Sequence, residues 1–385
     1  MASVEKNRDI GQAVDGVVDE GVLFENGLPD DVSAASFWTA FTSTSAPWEQ
    51  REKALRAVRD GFPHLWGEVM ALYRDRMRGI VVDEFFDLVA DEKRVEALAD
   101  SYAATGTLSL PFLEKEILPV IADQLFALQS KGRKTYGAPR PVYPPGEVAT
   151  WDPSTDERCH LISYLQTTAI GQSQMPRECE LHWLYHMPHL REFVQKVMRF
   201  PPLWTFEYNL GVGANIMKAS TEKETALGFH FDSVDSSTDT ASEDTAADEE
   251  TETDKQAQTR LMGATAVIGI LDCVRGGERV IFNEVTRPKV SAVRAVLDNF
   301  RCACPEKPIE YEGGVLTPSV VTEGVEGVLS IFDGGNRLHA VSSVKEGTRI
   351  SSVFLYPTED PTWEKGGASA ASAAEFYDAP DYGDV

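Results

Sequence analysis

LWTFEYNLGVGANIMKA, residues 203–219, decides the fold, because the periodicity of the chain changes there. From Pro202 onward the apolar residues come in short β-branched and aromatic runs divided by Gly, Asn and Pro. The same grammar returns in ALGFHFDSV (226–234), GATAVIGILDCV (263–274), ERVIFNEV (278–285), GVLSIFDG (327–334), HAVSSV (339–344) and TRISSVFLYP (348–357). Several short strands at such spacing predict an antiparallel sandwich or barrel of the jelly-roll kind over residues 201–358. One segment breaks the pattern. DSSTDTASEDTAADEETETDKQAQ, with its acidic, Ser- and Thr-rich composition, cannot bury a core, so residues 236–258 are expected as a disordered insertion between two strands.

Upstream of the change, residues 31–200 read as mainly helical and are expected to pack on the β core, giving an α+β fold. The run SAPWEQREKALRAVRDGFPHLWGEVMALYRDRM (45–77) has a Ser cap, an early proline and apolar residues at spacings of three and four, interrupted near Gly61 and Pro63. VVDEFFDLVADEKRVEALADSYAAT (81–105) and LPFLEKEILPVIADQLFALQSKG (110–132) read the same way, and a last helix is expected from about Arg177 to Phe200. Between them GAPRPVYPPGEVATWDP (137–153) excludes regular helix and marks a connector. Residues 1–30 and 359–385 are weakly periodic or low in complexity and are expected to be flexible tails.

The 385 residues, 42% hydrophobic and 25% charged, have ordinary globular composition. No stretch approaches the roughly 18 to 20 apolar residues of a membrane helix, and the opening MASVEKNRDIGQ lacks a signal-peptide pattern, so a cytoplasmic setting without membrane contact is expected. A formal net charge of -25 repels phosphate backbones and counts against a nucleic-acid partner. Cys159, Cys179, Cys273, Cys302 and Cys304 are too sparse for a disulfide framework; Cys302 and Cys304 form a C-x-C with no second pair nearby to complete a metal site.

The chemistry concentrates in the β half. His230 and Asp232 stand two residues apart in GFHFDSV, so on a strand both side chains point to one face and can reach one metal. His339 follows a Gly-rich turn in FDGGNRLHAVSSV. Two imidazoles and one carboxylate on one face of a metal leave three positions open, which suits iron(II) that must bind a chelating co-substrate and dioxygen together; zinc fits so open a sphere less well. Arg349 and Ser351 share a face in the otherwise apolar TRISSVFLY and offer a guanidinium fork and a hydroxyl to a carboxylate in a dry pocket. Asn215 in the NIMK strand and Glu278 in GGE are polar residues expected to line or rim the cavity, where turn and edge roles are the competing reading.

The order H-x-D, then GGE, then the GVLSIFDG…LHAV…G-x-R-x-S run resembles the 2-oxoglutarate/iron(II) oxygenases with a double-stranded β-helix fold. ELHWLYHMPHLREFVQKVM (180–198), followed by NIMK and GFHFD, is similar to the branch that holds free-amino-acid halogenases and their hydroxylase relatives. The resemblance implies that His230, Asp232 and His339 bind iron(II), and that Arg349, with Ser351, holds the distal carboxylate of 2-oxoglutarate; Asn215 is added as a candidate for the same pocket from its place in the NIMK strand. It implies dioxygen as oxidant and a small-molecule substrate, an amino acid or amine. In those halogenases a small residue replaces the carboxylate ligand and leaves room for chloride. Asp232 fills that position here, so hydroxylation is expected.

Rival readings remain. His182 and His186 have the i, i+4 spacing of a helical ligand pair, but with His189 they lie among Trp, Leu and Tyr and are expected to pack. The β domain could be a cupin-like binding module without turnover, or the same chemistry could act on a protein side chain.

Overall fold

The computed structural model describes residues 32–43, 48–129, 133–136, 165–205, 211–219, 227–230, 232, 263–286, 309–311, 314–317, 320–322 and 325–358. The two tails, the 236–258 insertion, the 137–153 connector, Cys159, Cys302 and Cys304 lie outside the described residues. The chain divides into two compact units, Met1–Arg76 and Met77–Val385.

In the first unit the sequence periodicity is met by α1 (Ala34–Ser43), α2 (Trp48–Gly61) and α3 (Pro63–Met77), the last of which reaches the boundary. The break expected near Gly61 and Pro63 is there, with proline at the first helical position, where its missing N–H costs nothing. Phe37, Phe41, Leu55, Val58, Val69 and Tyr73 are almost fully buried, and the Arg51 guanidinium lies 4.8 Å from the Trp48 ring.

The second unit holds α4 (Asp83–Ala90), α5 (Glu92–Thr105), α6 (Leu118–Leu128), α7 (Glu180–Tyr185) and α8 (Pro188–Met198). Asp91 begins α5 by accepting from the backbone N–H groups of Lys93 and Arg94, the ordinary N-cap arrangement. Two helical expectations need correction. Of the described part of the run 110–132, helix covers Leu118–Leu128, because Leu110 and Pro111 end a strand. The single helix expected over 177–200 is two helices, since Pro188 forces Met187 into an extended conformation, φ -66 and ψ 114, and α8 restarts on the proline.

Fifteen strands complete the unit among the described residues: β1 (Thr107–Pro111), β2 (Arg133–Tyr136), β3 (Leu165–Gly171), β4 (Val212–Lys218), β5 (Leu227–His230), β6 (Ala264–Leu271), β7 (Arg275–Gly276), β8 (Arg279–Thr286), β9 (Ile309–Tyr311), β10 (Gly314–Leu316), β11 (Val320–Thr322), β12 (Val328–Phe332), β13 (Arg337–Val341), β14 (Val344–Glu346) and β15 (Thr348–Tyr356). One antiparallel sheet runs β1-β12-β6-β15-β4-β3-β2 and another β11-β8-β13-β5, with two small pairs, β10-β9 and β14-β7. The region read as helical therefore contributes β1, β2 and β3 to the larger sheet. β1 sits at its edge, where a terminal proline is tolerated.

Alternation along β15 sorts the larger sheet into two faces. Ile350, Ser352, Phe354 and Tyr356 point to the side where α7 lies against β4 and where α6 and α8 lie against β6. Val353 points the other way and packs with Val267 of β6, Phe332 of β12 and Ile281 of β8. Ile281 belongs to the smaller sheet, so two antiparallel sheets face one another there. No described helix is long and apolar enough to cross a membrane.

Candidate active site

β5 ends on His230, and β13 sets His339 directly opposite it in register. The His230 side chain lies outside the described residues. Asp232 follows, and its backbone N–H donates to Gly334 O at 2.9 Å. Gly334 opens the turn into β13. A side chain there is excluded, since a Cβ at Gly334 would collide with Asp232 Oδ2 and with Thr265 Oγ1. Thr265, on the inner face of β6, donates to Asp232 Oδ2 at 2.7 Å. One carboxylate oxygen is thus committed to a hydroxyl, and the other, Oδ1, stands 3.5 Å from His339 Nε2.

The tautomer of His339 follows from its second contact. Nδ1 lies 3.0 Å from Arg337 O, and a carbonyl can only accept, so Nδ1 carries the proton and Nε2 the lone pair directed toward Asp232. This second contact is what a metal-binding imidazole ordinarily makes. Two bonds of about 2.1 Å to one ion set neighbouring ligand atoms roughly 3 Å apart, so the Oδ1–Nε2 spacing fits a shared metal. Among the described side chains no group of three or more His, Cys, Asp or Glu is placed to hold a metal, and Asp232 and His339 supply two such groups. Phe332 covers the histidine edge-on, with ring centroids 4.8 Å apart.

Arg349 is 2% exposed, and its Nη1 donates to Ser351 Oγ at 3.0 Å, as their shared face of β15 predicts. Its Nε is buried without a hydrogen-bond partner. Burial lowers its pKa, and the nearby Cys273 and Asp272 offset that. Asn215 is half-buried and pairs in register with Ser351, so it belongs to the same inner face. Glu278 does something else. Its side chain accepts from the Ser342 hydroxyl, its N–H donates to Ser342 Oγ at 3.0 Å, and its carbonyl accepts from Ser342 N–H at 2.8 Å, so it ties the start of β8 to the end of β13. The expected cavity-lining role for Glu278 is replaced by that clip.

Two functional candidates were silent in the sequence reading. Arg279 is 6% exposed on the inner face of β8, its guanidinium 5.5 Å from the Phe332 ring centroid. Burial, and then the like charge of Arg349, push its pKa down to about 9, against the pull of Asp232. Its signal was the one used for Arg349, a lone Arg leading an apolar strand, RVIF. Thr265 gave less warning, being an ordinary β-former among apolar neighbours. His182, His186 and His189 are all buried, His186 against Tyr185 and His189 edge-on to Phe86, as packing residues should be.

The ensemble is a largely buried carboxylate–imidazole pair between the facing sheets, with two buried guanidiniums on the inner faces of the same sheets. A buried guanidinium is costly unless an anion meets it, so the arrangement is suited to hold an anionic chelator against a metal.

No protein-family model matches the chain, and no curated protein matches it. Among solved structures it is similar to a Pseudomonas putida prolyl-4-hydroxylase, with 14% identity, 69% of this chain and 100% of that one covered, and a TM-score of 0.35. It is similar to the non-haem α-ketoglutarate-dependent epimerase SnoN from nogalamycin biosynthesis, with 11% identity, 69% and 82% covered, and a TM-score of 0.41. An oxidoreductase of the 2OG-Fe(II) oxygenase family from Burkholderia pseudomallei gives 14% identity, 73% and 95% covered, and a TM-score of 0.37.

Proposed function

We propose that the protein is an iron(II)- and 2-oxoglutarate-dependent oxygenase, and that its two facing sheets are the walls of a double-stranded β-helix. The observation that carries this is the pair Asp232 Oδ1 and His339 Nε2, 3.5 Å apart, each fixed by a second contact, with the buried Arg349 on the inner face of the larger sheet. His230, Asp232 and His339 would hold the iron; Arg349, with Ser351 and Asn215 on its face, would hold the co-substrate's distal carboxylate. Iron bound there supplies dioxygen activation coupled to decarboxylation of 2-oxoglutarate, so that an unactivated C–H bond is hydroxylated with release of succinate and carbon dioxide.

The chain's own part is positioning. Thr265 and Gly334 hold Asp232 so that one oxygen faces the metal position, and the Arg337 carbonyl keeps the His339 lone pair on Nε2. Phe332 screens the histidine from water. Arg349 and Ser351 orient the co-substrate, which leaves its chelating end toward the metal. The substrate is a small molecule, a free amino acid or amine, a reading that rests on the resemblance of residues 180–232 to the amino-acid halogenase and hydroxylase branch; Asp232 favours hydroxylation over halogenation within it.

The test is an anaerobic titration with iron(II) and 2-oxoglutarate, followed by amino acids, amines and a prolyl peptide under oxygen with succinate as readout. A charge-transfer band on co-substrate binding is expected, and His339→Ala should lose both band and succinate. Undiminished succinate from His339→Ala would overturn the metal assignment, while no band in the wild type would favour a binding module.

A further inference from the structure

We infer that Arg279 is a second cationic arm of the co-substrate pocket, closing with Arg349 on one distal carboxylate, an inference that rests on the oxygenase reading of the same site. The register sets the level of each group. His339 pairs with Ile281 across β13 and β8, which makes Ile281 the neighbour of the metal position. Arg279 lies two residues further on the same face, opposite Val341, a displacement of about 6.8 Å along the strand. Val341 packs against Met217, and Met217 is the register partner of Arg349. The Arg279 backbone therefore stands at the level of Arg349, while its guanidinium reaches the Phe332 ring that also covers His339.

A second contact brings the two arginines to one slot. A Cβ at Gly277 would stand 2.8 Å from Arg349 Cδ, so the stem of Arg349 passes directly over Gly277. With φ at +76 that residue is in the left-handed region, where glycine is favoured. Gly277 lies in the short link between β7 and β8, two residues before Arg279, and the like charge of Arg349 is felt at Arg279. Phe332 supports the Arg279 guanidinium from one side. Among the described residues neither arginine has a carboxylate within ion-pair distance, and Asp232 is turned to Thr265 and His339.

Two buried guanidiniums facing one slot repel each other, and a single carboxylate there can accept from both arms and from Ser351 while cancelling one of the two charges. The chemical consequence is selectivity. A 2-oxo acid of the right length with a distal carboxylate relieves that repulsion, whereas one ending in a methyl group leaves both charges opposed and dry.

The experiment uses the full chain with manganese(II) as a redox-inert metal and measures binding of 2-oxoglutarate and 2-oxobutyrate by calorimetry, in the wild type, Arg279→Met and Arg349→Met. Arg279→Met should weaken 2-oxoglutarate by roughly 10- to 100-fold, leave 2-oxobutyrate unchanged, and melt no lower than the wild type without ligand, since a buried like charge is removed. Should that variant fail to fold, Arg279→Gln is put through the same two titrations. Unchanged 2-oxoglutarate affinity on loss of Arg279, with the wild type binding normally, overturns the second arm and leaves the oxygenase reading intact. Failure of the metal-loaded wild type to bind 2-oxoglutarate overturns both.

Discussion

The two faces of β15 are equally dry and differently completed. On the helix side, Ser352 donates to Gly213 O at 3.0 Å and Tyr356 donates to Tyr185 O at 3.0 Å, while Phe354 and Tyr356 meet the Tyr185 ring at 5.6 and 5.0 Å. Both of those hydroxyls have a backbone acceptor. On the inner side, Arg349 is 2% exposed with Nε unmatched, and a second guanidinium is buried nearby. Among the described residues, one face of the strand is thus finished by the chain itself and the other keeps an unmatched guanidinium nitrogen. Buried polar groups in folded proteins are normally matched, so an unmatched set marks the place where stability is given up for binding.

Truncation on the finished face should break this comparison most visibly. Phe354→Ala removes a fully buried ring from between the sheet and α7 and should cost about 3–5 kcal/mol in chemical denaturation. At temperatures where the variant is folded, its affinity for 2-oxoglutarate should match the wild type. A fall in affinity alongside stability would mean that the two faces are coupled and the contrast is false.

A smaller effect, confined to function, is expected beyond β15 at the carboxylate clamp. Thr265→Val keeps shape and burial but removes the donor to Asp232 Oδ2, and loss of such an outer contact ordinarily weakens metal binding about 10- to 100-fold. Metal titration with manganese(II), read against thermal unfolding, separates the roles. A large drop in melting temperature with unaltered metal affinity would reassign Thr265 to packing. Gly334→Ala should weaken the metal in the same direction, because its methyl group would displace the Asp232 carboxylate.

Sequence periodicity made the β half and its inward positions legible. His230 and Asp232 were singled out because an alternating strand would put both on one face; β5 ends at His230, and the His230 side chain lies outside the described residues. Arg349 with Ser351 stood out because polar residues on an apolar strand need a reason. Thr265 was not, since its partner Asp232 is 33 residues away across the acidic segment, and only the folded sheet brings them together. Gly334 read as a turn glycine, which it also is. The strands before residue 200 were missed because β1 and β3 gain their stability from pairing with β12 and β4, an advantage no local pattern records. Glu278 misled for the opposite reason: a polar residue beside a strand looked functional, and the chain had already used it to hold Ser342.

The smallest predicted effect sharpens the inner face alone. In the folded chain without ligand burial pulls the Arg279 pKa down to about 9, well below the range that an unfolded arginine keeps. Below pH 9 both states carry the charge, and the folded protein bears the full cost of burying it. Above pH 9 the folded state releases the proton first, so the unfolded state binds more protons and stability rises with pH relative to a chain lacking the group. Arg279→Met should therefore be more stable than the wild type at pH 7.5, and the gap should narrow by about 1 kcal/mol at pH 10. The quantity to measure is the difference between the two unfolding free energies at each pH, which cancels the titration of lysines, tyrosines and cysteines common to both. A gap constant from pH 7.5 to 10 would mean that Arg279 is already neutralised in the folded chain, and the inner face would then be as complete as the outer one.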